Sequence, residues 1–260
     1  MKIATWNING VKARIDTLLT WLGETKPDVV CLQEIKSVDE GFPAEAIESA
    51  GYNVAVHGQK GFNGVALLSK YRLEDVFRGL PGDGSDEQSR YIEGTVTAGK
   101  HTVRVGGLYL PNGNPIATEK FTYKLAWMAR LEARARDLVA SEQAFVLAGD
   151  YNVIPESVDA KSPKDWLGDA LFQPESRQAY RRLMALGLTD AVRTGHPGGG
   201  VYTFWDYQAG AWQKDNGIRI DHLLLSPQAT DMLICSGIDR FVRGWEKPSD
   251  HVPVWVELRD

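Results

Sequence analysis

The segment Phe145-Val146-Leu147-Ala148-Gly149-Asp150-Tyr151-Asn152 decides the fold, because an apolar run passes directly into a polar cluster. A short apolar run bounded by glycine and asparagine predicts a buried strand. Residues two apart in an extended chain point to the same side, so Asp150 and Asn152 are placed to face one ligand. Alone, the pair is better explained by an Asx turn at a strand end. Other segments with the same pattern make a ligand-binding role for Asp150 and Asn152 the better explanation.

The same pattern occurs at five further places along the chain. The segments are Ile3-Ala4-Thr5-Trp6-Asn7, Val29-Val30-Cys31-Leu32-Gln33-Glu34, Leu108-Tyr109-Leu110-Pro111-Asn112, Arg219-Ile220-Asp221-His222 and Ser249-Asp250-His251-Val252-Pro253. Six clusters of acids, amides, a tyrosine and a histidine predict strand ends that converge on one site. Such side chains suit a hard divalent cation and a phosphate ester.

Composition is that of an ordinary globular protein, with 43% hydrophobic and 24% charged residues among 260. The net charge of −5 argues against general coating of nucleic acid but leaves room for a local basic rim. No apolar segment is long enough for a membrane helix, and the N-terminus lacks a signal-peptide pattern. Cys31 and Cys235 are predicted to be reduced core residues, which favours the cytosol.

Strand patterns alternate with a few helical ones. The predicted strands cover 2–8, 28–34, 52–58, 64–70, 91–98, 101–110, 144–151, 202–207, 218–226 and 253–259, and the predicted helices cover 11–24, 118–140 and 176–186. No linker divides the chain, so we predict one domain over 1–260. Many strands with few helices indicate two sheets packed face to face with helices outside.

The basic residues of the long helix are predicted to lie mostly on a solvated face, because acids are interleaved with them. They are Lys120, Lys124, Arg130, Arg134 and Arg136.

Glu34 and Asn7 are the first candidates for a metal site. At the end of an apolar strand, Glu34 either caps a turn or binds a cation, and Asn7 is near it if the first two strands are neighbours. Carboxylate and amide oxygens suit Mg²⁺ or Mn²⁺, whereas no Cys/His spacing supports zinc.

His251 is the candidate acid, base or phosphate donor, and Asp221 is the carboxylate that would fix its tautomer. An Asp-His pair is common by itself, so Asp250-His251 gains meaning only with Asp221. Tyr109 is a strand tyrosine that core packing also explains; its position before Pro111-Asn112 favours a site role.

In this order the motifs resemble the exonuclease III family of apurinic/apyrimidinic (AP) endonucleases, within the endonuclease/exonuclease/phosphatase superfamily. The resemblance covers residues 1–259. The motifs are Trp6-Asn7-Ile8-Asn9-Gly10, Gln33-Glu34-Ile35-Lys36, Gly58-Gln59-Lys60-Gly61 with Gly64-Val65-Ala66, Leu108-Tyr109-Leu110-Pro111-Asn112, Gly149-Asp150-Tyr151-Asn152, Arg219-Ile220-Asp221 and Ser249-Asp250-His251.

The resemblance implies a four-layer α-β-β-α sandwich of two packed mixed sheets flanked by helices. It also implies a metal site with Glu34 as principal ligand beside Asn7 and Asp250. A second metal near Asp150, Asn152 and His251 is an alternative that the resemblance leaves open.

The same resemblance implies the catalytic roles. Asp150 corresponds to the residue that activates water, and Asn152 to the one that stabilises the transition state. His251 with Asp221 corresponds to a phosphate-binding or proton-accepting dyad. Tyr109 corresponds to the catalytic tyrosine, either as a phosphate donor or as a charged participant.

Substrate contacts are implied in the same way. Phe204, Ile218 and Ile220 match a pocket for a base-less sugar. Packing in the strand core is the alternative, and it explains Ile218 and Ile220 nearly as well. The implied DNA contacts are Lys36, Lys60, Gly61, Gly64 and Asn112. Gln208 departs from relatives with a large apolar wedge at that position.

The resulting hypothesis is a monomeric Mg²⁺-dependent DNA repair hydrolase that cuts the phosphodiester 5′ to abasic sites. It also includes 3′-phosphodiesterase or 3′-phosphatase activity and 3′→5′ exonuclease activity on blocked ends. Rival hypotheses are a non-specific deoxyribonuclease, another phosphoesterase of the superfamily, or a DNA-binding module without catalysis.

Overall fold

A computed structural model describes residues 1–259. The strands are β1 Lys2–Asn7, β2 Val29–Gln33, β3 Asn53–His57, β4 Val65–Ser69, β5 Glu74–Arg78, β6 Tyr91–Ala98, β7 His101–Tyr109, β8 Phe145–Asp150, β9 Thr189–Asp190, β10 Asp221–Leu225, β11 Leu233–Ile238 and β12 Val254–Leu258. The α-helices are α1 Ile15–Thr25, α2 Ala44–Ser49, α3 Glu119–Ala140, α4 Pro174–Ala185, α5 Ala191–Gly195 and α6 Pro227–Asp231. Short 3₁₀ turns cover Lys12–Arg14, Asp39–Gly41, Ser157–Asp159, Pro163–Trp166 and Arg240–Gly244.

The strands form two six-stranded mixed sheets. The first has the order β11-β12-β1-β2-β4-β3 and the second the order β5-β6-β7-β8-β10-β9. β1 runs parallel to β2, and β7 runs parallel to β8. These four strands end in, or lead directly into, the polar clusters. The clusters therefore lie where the carboxyl ends of the strands of the two facing sheets come together.

The inner faces of the sheets form the central core. Side chains alternate along a strand, so every second residue points to the opposite sheet. The inner layer includes Ile3, Val29, Cys31, Val65, Val105, Val146, Ala148, Leu223 and Val254. Full burial of one such side chain stabilises the fold by roughly 1.5–3 kcal/mol.

Helices cover the outer faces and complete four layers. On the first sheet, Trp6 of β1 packs edge-on against Trp21 of α1, with ring centroids 5.5 Å apart. On the second sheet, Leu147 of β8 packs with Leu131 of α3 and Leu183 of α4. The predicted four-layer α-β-β-α sandwich is confirmed.

Helix α3 agrees closely with the predicted span 118–140, and the Thr118 side chain caps it by accepting from the Lys120 N–H. The prediction of a solvated basic face was wrong for Lys124, which is fully buried. Arg130 and Arg134 are also engaged, since they pair with Asp86 and Glu93. Burial of Lys124 follows from the helical period, because it lies three and four residues before the core residues Trp127 and Met128.

Three other predictions need correction. The segment 202–207 is not a strand; Phe204 makes only isolated bridges to Ile218 and His251, since the chain winds through turns there. Cys235 is exposed on β11 rather than in the core, while Cys31 is buried as expected. The edge strands β5 and β11 were not predicted, and both are partly exposed along their length.

No helix within residues 1–259 has both the length and the apolarity that a membrane span requires.

Candidate active site

Strand parity brings four polar side chains to one end of the space between the sheets. Asn7 follows Ile3 and Thr5 on the inner face of β1, and Asp150 follows Val146 and Ala148 on that of β8. Register adds the other two, because Tyr109 and Asp221 are both paired with Asp150 in neighbouring strands. His222 has the opposite parity and is therefore excluded from the site.

Left-handed backbone conformations occur at the strand ends that hold the site. Asn9, Glu34, Lys36 and Asn152 have φ values of 48°, 48°, 52° and 46°. Outside glycine this conformation is uncommon, costs roughly 1–3 kcal/mol per residue in sparsely populated regions, and clusters at functional sites. At Glu34 it turns the carboxylate away from the strand direction and toward the neighbouring strand ends.

Glu34 is held by three side chains. Asn7 Nδ2 and the Tyr109 hydroxyl donate to its Oε1, each at 2.9 Å. Lys36 Nζ lies 3.0 Å from its Oε2. Burial opposes ionisation, but the Asn7 hydrogen bond and the Lys36 charge outweigh it and lower the pKa of Glu34. The group is therefore a carboxylate at neutral pH.

Asp150 is a fully enclosed carboxylate with donors on both oxygens. Asn7 Nδ2 donates to Oδ2 at 3.0 Å, and the Asn152 N–H donates to Oδ1 at 2.9 Å. His251 Nε2 lies 3.7 Å from Oδ2. Burial raises the pKa of Asp150, which the positive charge of His251 opposes. A carboxylate with a raised pKa is a suitable general base near neutral pH.

His251 and Asp221 form a buried pair, with Nδ1 2.8 Å from Oδ2. Burial opposes a charge on the ring, but Asp221 and Asp150 outweigh it and raise the pKa of His251 to about 10. The imidazolium thus directs Nε2–H toward the space beside Asp150. The Phe204 ring packs on the imidazole at 5.0 Å between centroids and limits its rotation.

Tyr109 is a neutral phenol in this environment. Burial, followed by the charges of Glu34 and Asp150, raises the pKa of Tyr109 well above its ordinary value. The guanidinium of Arg90 stacks 4.8 Å from the ring centroid, and Arg90 Nη1 donates to the Tyr109 carbonyl at 3.2 Å. The tyrosine can therefore donate a hydrogen bond at neutral pH.

Asn152 and Asn112 lie side by side on the loops that follow β8 and β7. Asn112 Nδ2 donates to Asn152 Oδ1 at 3.2 Å, and Asn152 Nδ2 donates to the Leu110 carbonyl at 2.9 Å. Burial lowers the pKa of Lys124, whose ammonium contacts both loops from behind, to about 7.

Asp250 borders the site and is tied to β1 through Asn9. Asn9 Nδ2 donates to Asp250 Oδ1 at 3.1 Å, while Asn9 Oδ1 accepts from Lys36 Nζ. Asn9 was missed as a site residue, although the Asn9-Gly10 turn directly after the Asn7 cluster was a signal for it.

These groups open into a cavity of about 340 Å³. Its lining includes Glu34, Tyr109, Asn112, Asp150, Asn152, Phe204, Ile220, Asp250 and His251, together with four residues that the sequence did not single out, Trp166, Asp169, Leu171 and Asp206. Ile218 is absent from this lining and packs beneath it with Ile154 and Ala160. Thus Ile220 reaches the cavity wall, while Ile218 belongs to the supporting apolar cluster.

Of the predicted DNA contacts, Asn112 lines this cavity, whereas Lys36, Lys60, Gly61 and Gly64 are not part of its lining. Lys60 and Gly61 are exposed on the loop between β3 and β4. That loop is fixed to the Glu34 segment, because the Ile35 and Lys36 N–H groups donate to the carbonyls of Gly64 and Asn63. Lys36 itself is half-buried and neutralises Glu34.

The donor set fits a hard divalent cation. Glu34, Asp150 and Asp250 bring three carboxylates to one cavity, which concentrates negative charge and offers oxygen ligands. Asn7 turns its amide nitrogen toward the carboxylates, and its oxygen accepts from the Asn9 N–H at 3.1 Å. In this orientation Asn7 aligns the carboxylates of Glu34 and Asp150. Its own role as a metal ligand stays a prediction and requires the amide group to flip.

A sequence profile described as the Endonuclease/Exonuclease/phosphatase family matches residues 4–251. The chain belongs to this family. Exodeoxyribonuclease III of Haemophilus influenzae is 37% identical, with 100% of both chains covered. A 3′ phosphatase from Neisseria, solved with a product DNA hairpin, has a TM-score of 0.95 at 37% identity and 100% coverage of both chains.

An AP endonuclease from Archaeoglobus fulgidus has a TM-score of 0.94 at 36% identity, with 99% of both chains covered. These relatives confirm the resemblance drawn from the motifs, so the chain is an exonuclease III-type member of the Endonuclease/Exonuclease/phosphatase family. Such members are hydrolytic DNA-repair enzymes and metal-dependent nucleases.

Proposed function

We propose that this family member hydrolyses the phosphodiester 5′ to abasic sites in double-stranded DNA, leaving a 3′-hydroxyl and a 5′-deoxyribose phosphate. We further propose that it uses Mg²⁺, with Mn²⁺ as a substitute, and that it removes blocking groups from 3′ ends and degrades DNA 3′→5′. One observation carries the proposal. A continuous hydrogen-bonded set from Glu34 through Asn7 and Asp150 adjoins the His251–Asp221 pair beside a partly apolar cavity.

The attacking water is assigned to Asp150. Hydrolysis of an anionic diester needs an oriented nucleophile, and a buried carboxylate with a raised pKa can accept its proton. Donors from Asn7 and Asn152 fix the carboxylate plane, so its orientation does not depend on solvent. Donors aimed at the reacting phosphate itself, rather than at Asp150, contribute roughly 3–4 kcal/mol each at measured oxyanion sites.

Charge on the phosphate is assigned to His251, Tyr109 and Asn152. His251 presents a charged N–H held in place by Asp221, and Tyr109 presents a neutral hydroxyl. Both line the same cavity as Asn152. Together they surround the position where a phosphoryl group would lie against Asp150.

The metal would be held by Glu34 and Asp250, with Asp150, Asn152 and His251 as the alternative set. When bound, a divalent ion neutralises the phosphate and stabilises the departing 3′-oxygen. The hydrogen bonds from Asn7 and Tyr109 keep Glu34 ionised and oriented for that role.

Selection of an abasic site is assigned to the apolar wall of the cavity. Phe204, Trp166 and Ile220 line the cavity and belong to one apolar cluster, and Phe204 packs on His251. A small apolar space accepts a deoxyribose without its base, and unstacking costs least where the base is already missing. Exposed Lys60 and the half-buried Lys36 are placed to contact backbone phosphates.

The relatives support this assignment, since they include an exodeoxyribonuclease III, a 3′ phosphatase solved with product DNA and an AP endonuclease. We also propose that the protein acts as a monomer in the cytosol. The first point is supported by a site built from one chain, and the second by the two cysteines, which are both free thiols.

A parallel assay tests the substrate class. The protein is incubated with Mg²⁺ and an abasic duplex, an intact duplex or an inositol phosphate, at equal phosphoester concentration. We expect the abasic duplex to be cut fastest. Equal cutting of the intact duplex would identify a non-specific deoxyribonuclease, and preference for the inositol phosphate would identify another phosphoesterase. Tight abasic-DNA binding without cleavage under any divalent metal would identify a binding module.

A further inference from the structure

Lys124 is a buried lysine that no step of the proposed reaction uses. It lies in the apolar stripe of α3, next to Trp127 and Met128, and its exposed fraction is 0%. Burial of an ammonium group is costly unless hydrogen bonds compensate it. A lysine at this position therefore indicates partners that repay the cost.

The partners are backbone carbonyls from two separate loops. Nζ donates to the carbonyl oxygens of Pro111 and Asn112 at 3.2 and 3.1 Å. It also donates to the carbonyl oxygen of Asn152 at 2.6 Å. An ammonium group has three donors, so these contacts use all of them. The first two acceptors follow β7 and the third follows β8.

Those two loops carry the adjacent amides of the active site. Asn152 has a left-handed φ of 46°, which requires support from its surroundings. Its Oδ1 accepts a hydrogen bond from Asn112 Nδ2, so the orientation of each side chain depends on that of the other. The lysine lies behind both backbones and joins them.

Gly113 shows how closely the loop is built around the lysine stem. A Cβ at this position would lie 2.6 Å from Lys124 Cδ and 3.2 Å from Lys124 Cβ. The backbone there has φ +88°, which also favours glycine. The loop and the lysine are therefore fitted to each other.

We propose that Lys124 is a positioning residue, which holds the Asn152 side chain at the reacting phosphate by fixing the backbones of the two loops. This inference rests on the proposed function only in assigning Asn152 to the transition state. Loss of the three hydrogen bonds would let the 110–114 and 151–154 loops separate and would leave three carbonyls without a partner.

The test compares Lys124→Met, which keeps the length and apolar stem, with Lys120→Met, an exposed lysine one turn earlier on α3. For Lys124→Met we expect kcat to fall about 10- to 100-fold, as for other residues that orient a site side chain, with KM changing less. Lys120→Met should match the parent. In Lys124→Met/Asn152→Ala the loss should be close to that of Asn152→Ala alone, because Lys124 acts through the Asn152 side chain, which the second change already removes.

Hydrogen exchange makes the test independent of turnover. Lys124→Met should exchange faster at 110–114 and 151–154 while 101–108 is unchanged. Lys124→Gln, which keeps two side-chain N–H donors, should recover part of the protection and serves as the second variant if Lys124→Met does not fold. Unchanged kcat, unchanged exchange at both loops, or a loss that adds fully to that of Asn152→Ala would overturn the inference.

Activity is measured on an abasic duplex and on a duplex with a 3′-phosphate. A parent inactive on the abasic duplex contradicts the proposed function. The inference on Lys124 is then decided by the second substrate and by the exchange rates.

Discussion

Asp221 Oδ2 lies 2.8 Å from His251 Nδ1, although the two residues come from different sheets. Asp221 opens β10 in the second sheet, and His251 lies three residues before β12 in the first. The pair therefore forms only when the two sheets are packed in the correct register. It links the fold directly to the chemistry, because Asp221 fixes the imidazole that faces Asp150.

Asp221→Asn tests this link. The amide keeps the shape but removes the charge that supports the imidazolium and its tautomer. We predict that kcat falls by roughly 100-fold or more, in the range for misplaced acid–base groups. Steady-state kinetics on an abasic duplex measures it, with the exposed Asp137→Asn on α3 as control. A rate within a few-fold of the parent would show that the carboxylate has no part in turnover.

Glu34→Ala and Asp150→Asn test the other side of the site. Each removes a group that holds the cation or activates water, so turnover should fall by orders of magnitude. The fold should persist, because both side chains border a cavity rather than fill the core. Circular dichroism and the thermal midpoint check the fold beside the assay. Near-normal rates for both variants would exclude the assigned chemistry.

Ile218→Ala and Phe204→Ala separate supporting core from substrate pocket. Ile218 is 1% exposed and packs beneath the cavity, so its truncation should lower the free energy of unfolding by about 2–5 kcal/mol. At a temperature where it stays folded, it should cleave abasic DNA nearly as the parent does. Phe204→Ala should instead raise KM or lower kcat with a smaller loss of stability. Urea unfolding and abasic cleavage measure both effects, and the reverse pattern would place Ile218 in the pocket.

His222 predicts a pH dependence of stability. Arg219 Nη1 donates to its Nδ1 at 3.0 Å, so Nε2 carries the hydrogen and donates to the Val153 carbonyl, also at 3.0 Å. Burial, and then the Arg219 charge, lowers the pKa of His222 to about 4 from an ordinary value of 6.5. The unfolded chain therefore binds more protons between those values. The contribution of the buried neutral His222 ring to the free energy of unfolding is therefore complete above pH 6.5, and it is lost as the pH falls toward 4.

His222→Gln keeps one donor and one acceptor but does not titrate. The free energy of unfolding of the parent should fall more steeply than that of the variant between pH 6.5 and 4, by about 3 kcal/mol in total. Urea unfolding at several pH values measures the two curves. Parallel curves would show that the ring is not buried in its neutral form.

Much of the site could be predicted because the alternation of side chains along a strand is a local property of the sequence. Alternation along β1 and β8 is enough to send Asn7 and Asp150 to the same side as the core residues before them. The same period placed Lys124 in the apolar stripe of α3, yet its charge suggested solvent. Only the tertiary structure supplies the carbonyls that repay its burial.

The other incorrect or missed predictions concern segments in which apolar residues have no regular helical or strand spacing. Residues 202–207 are rich in aromatic side chains, but they follow a Gly-rich turn and pair only through isolated bridges. Trp166 lies in a short 3₁₀ turn far from the other clusters in sequence, so nothing local places it in the cavity wall. Such loop residues reach the site only through the packing of whole layers.

The most direct measurement is product analysis on a 5′-end-labelled duplex with a single abasic site, with Mg²⁺ and with chelator. The proposed function predicts that the first labelled product ends in a 3′-hydroxyl immediately 5′ to the abasic site, and that it appears with Mg²⁺ and not with chelator. Shorter labelled products should follow it only later, through the 3′→5′ exonuclease activity. A polymerase extension step would confirm that end group. Cleavage on the 3′ side of the abasic site, cutting independent of divalent metal, or no preference over an intact duplex would contradict it.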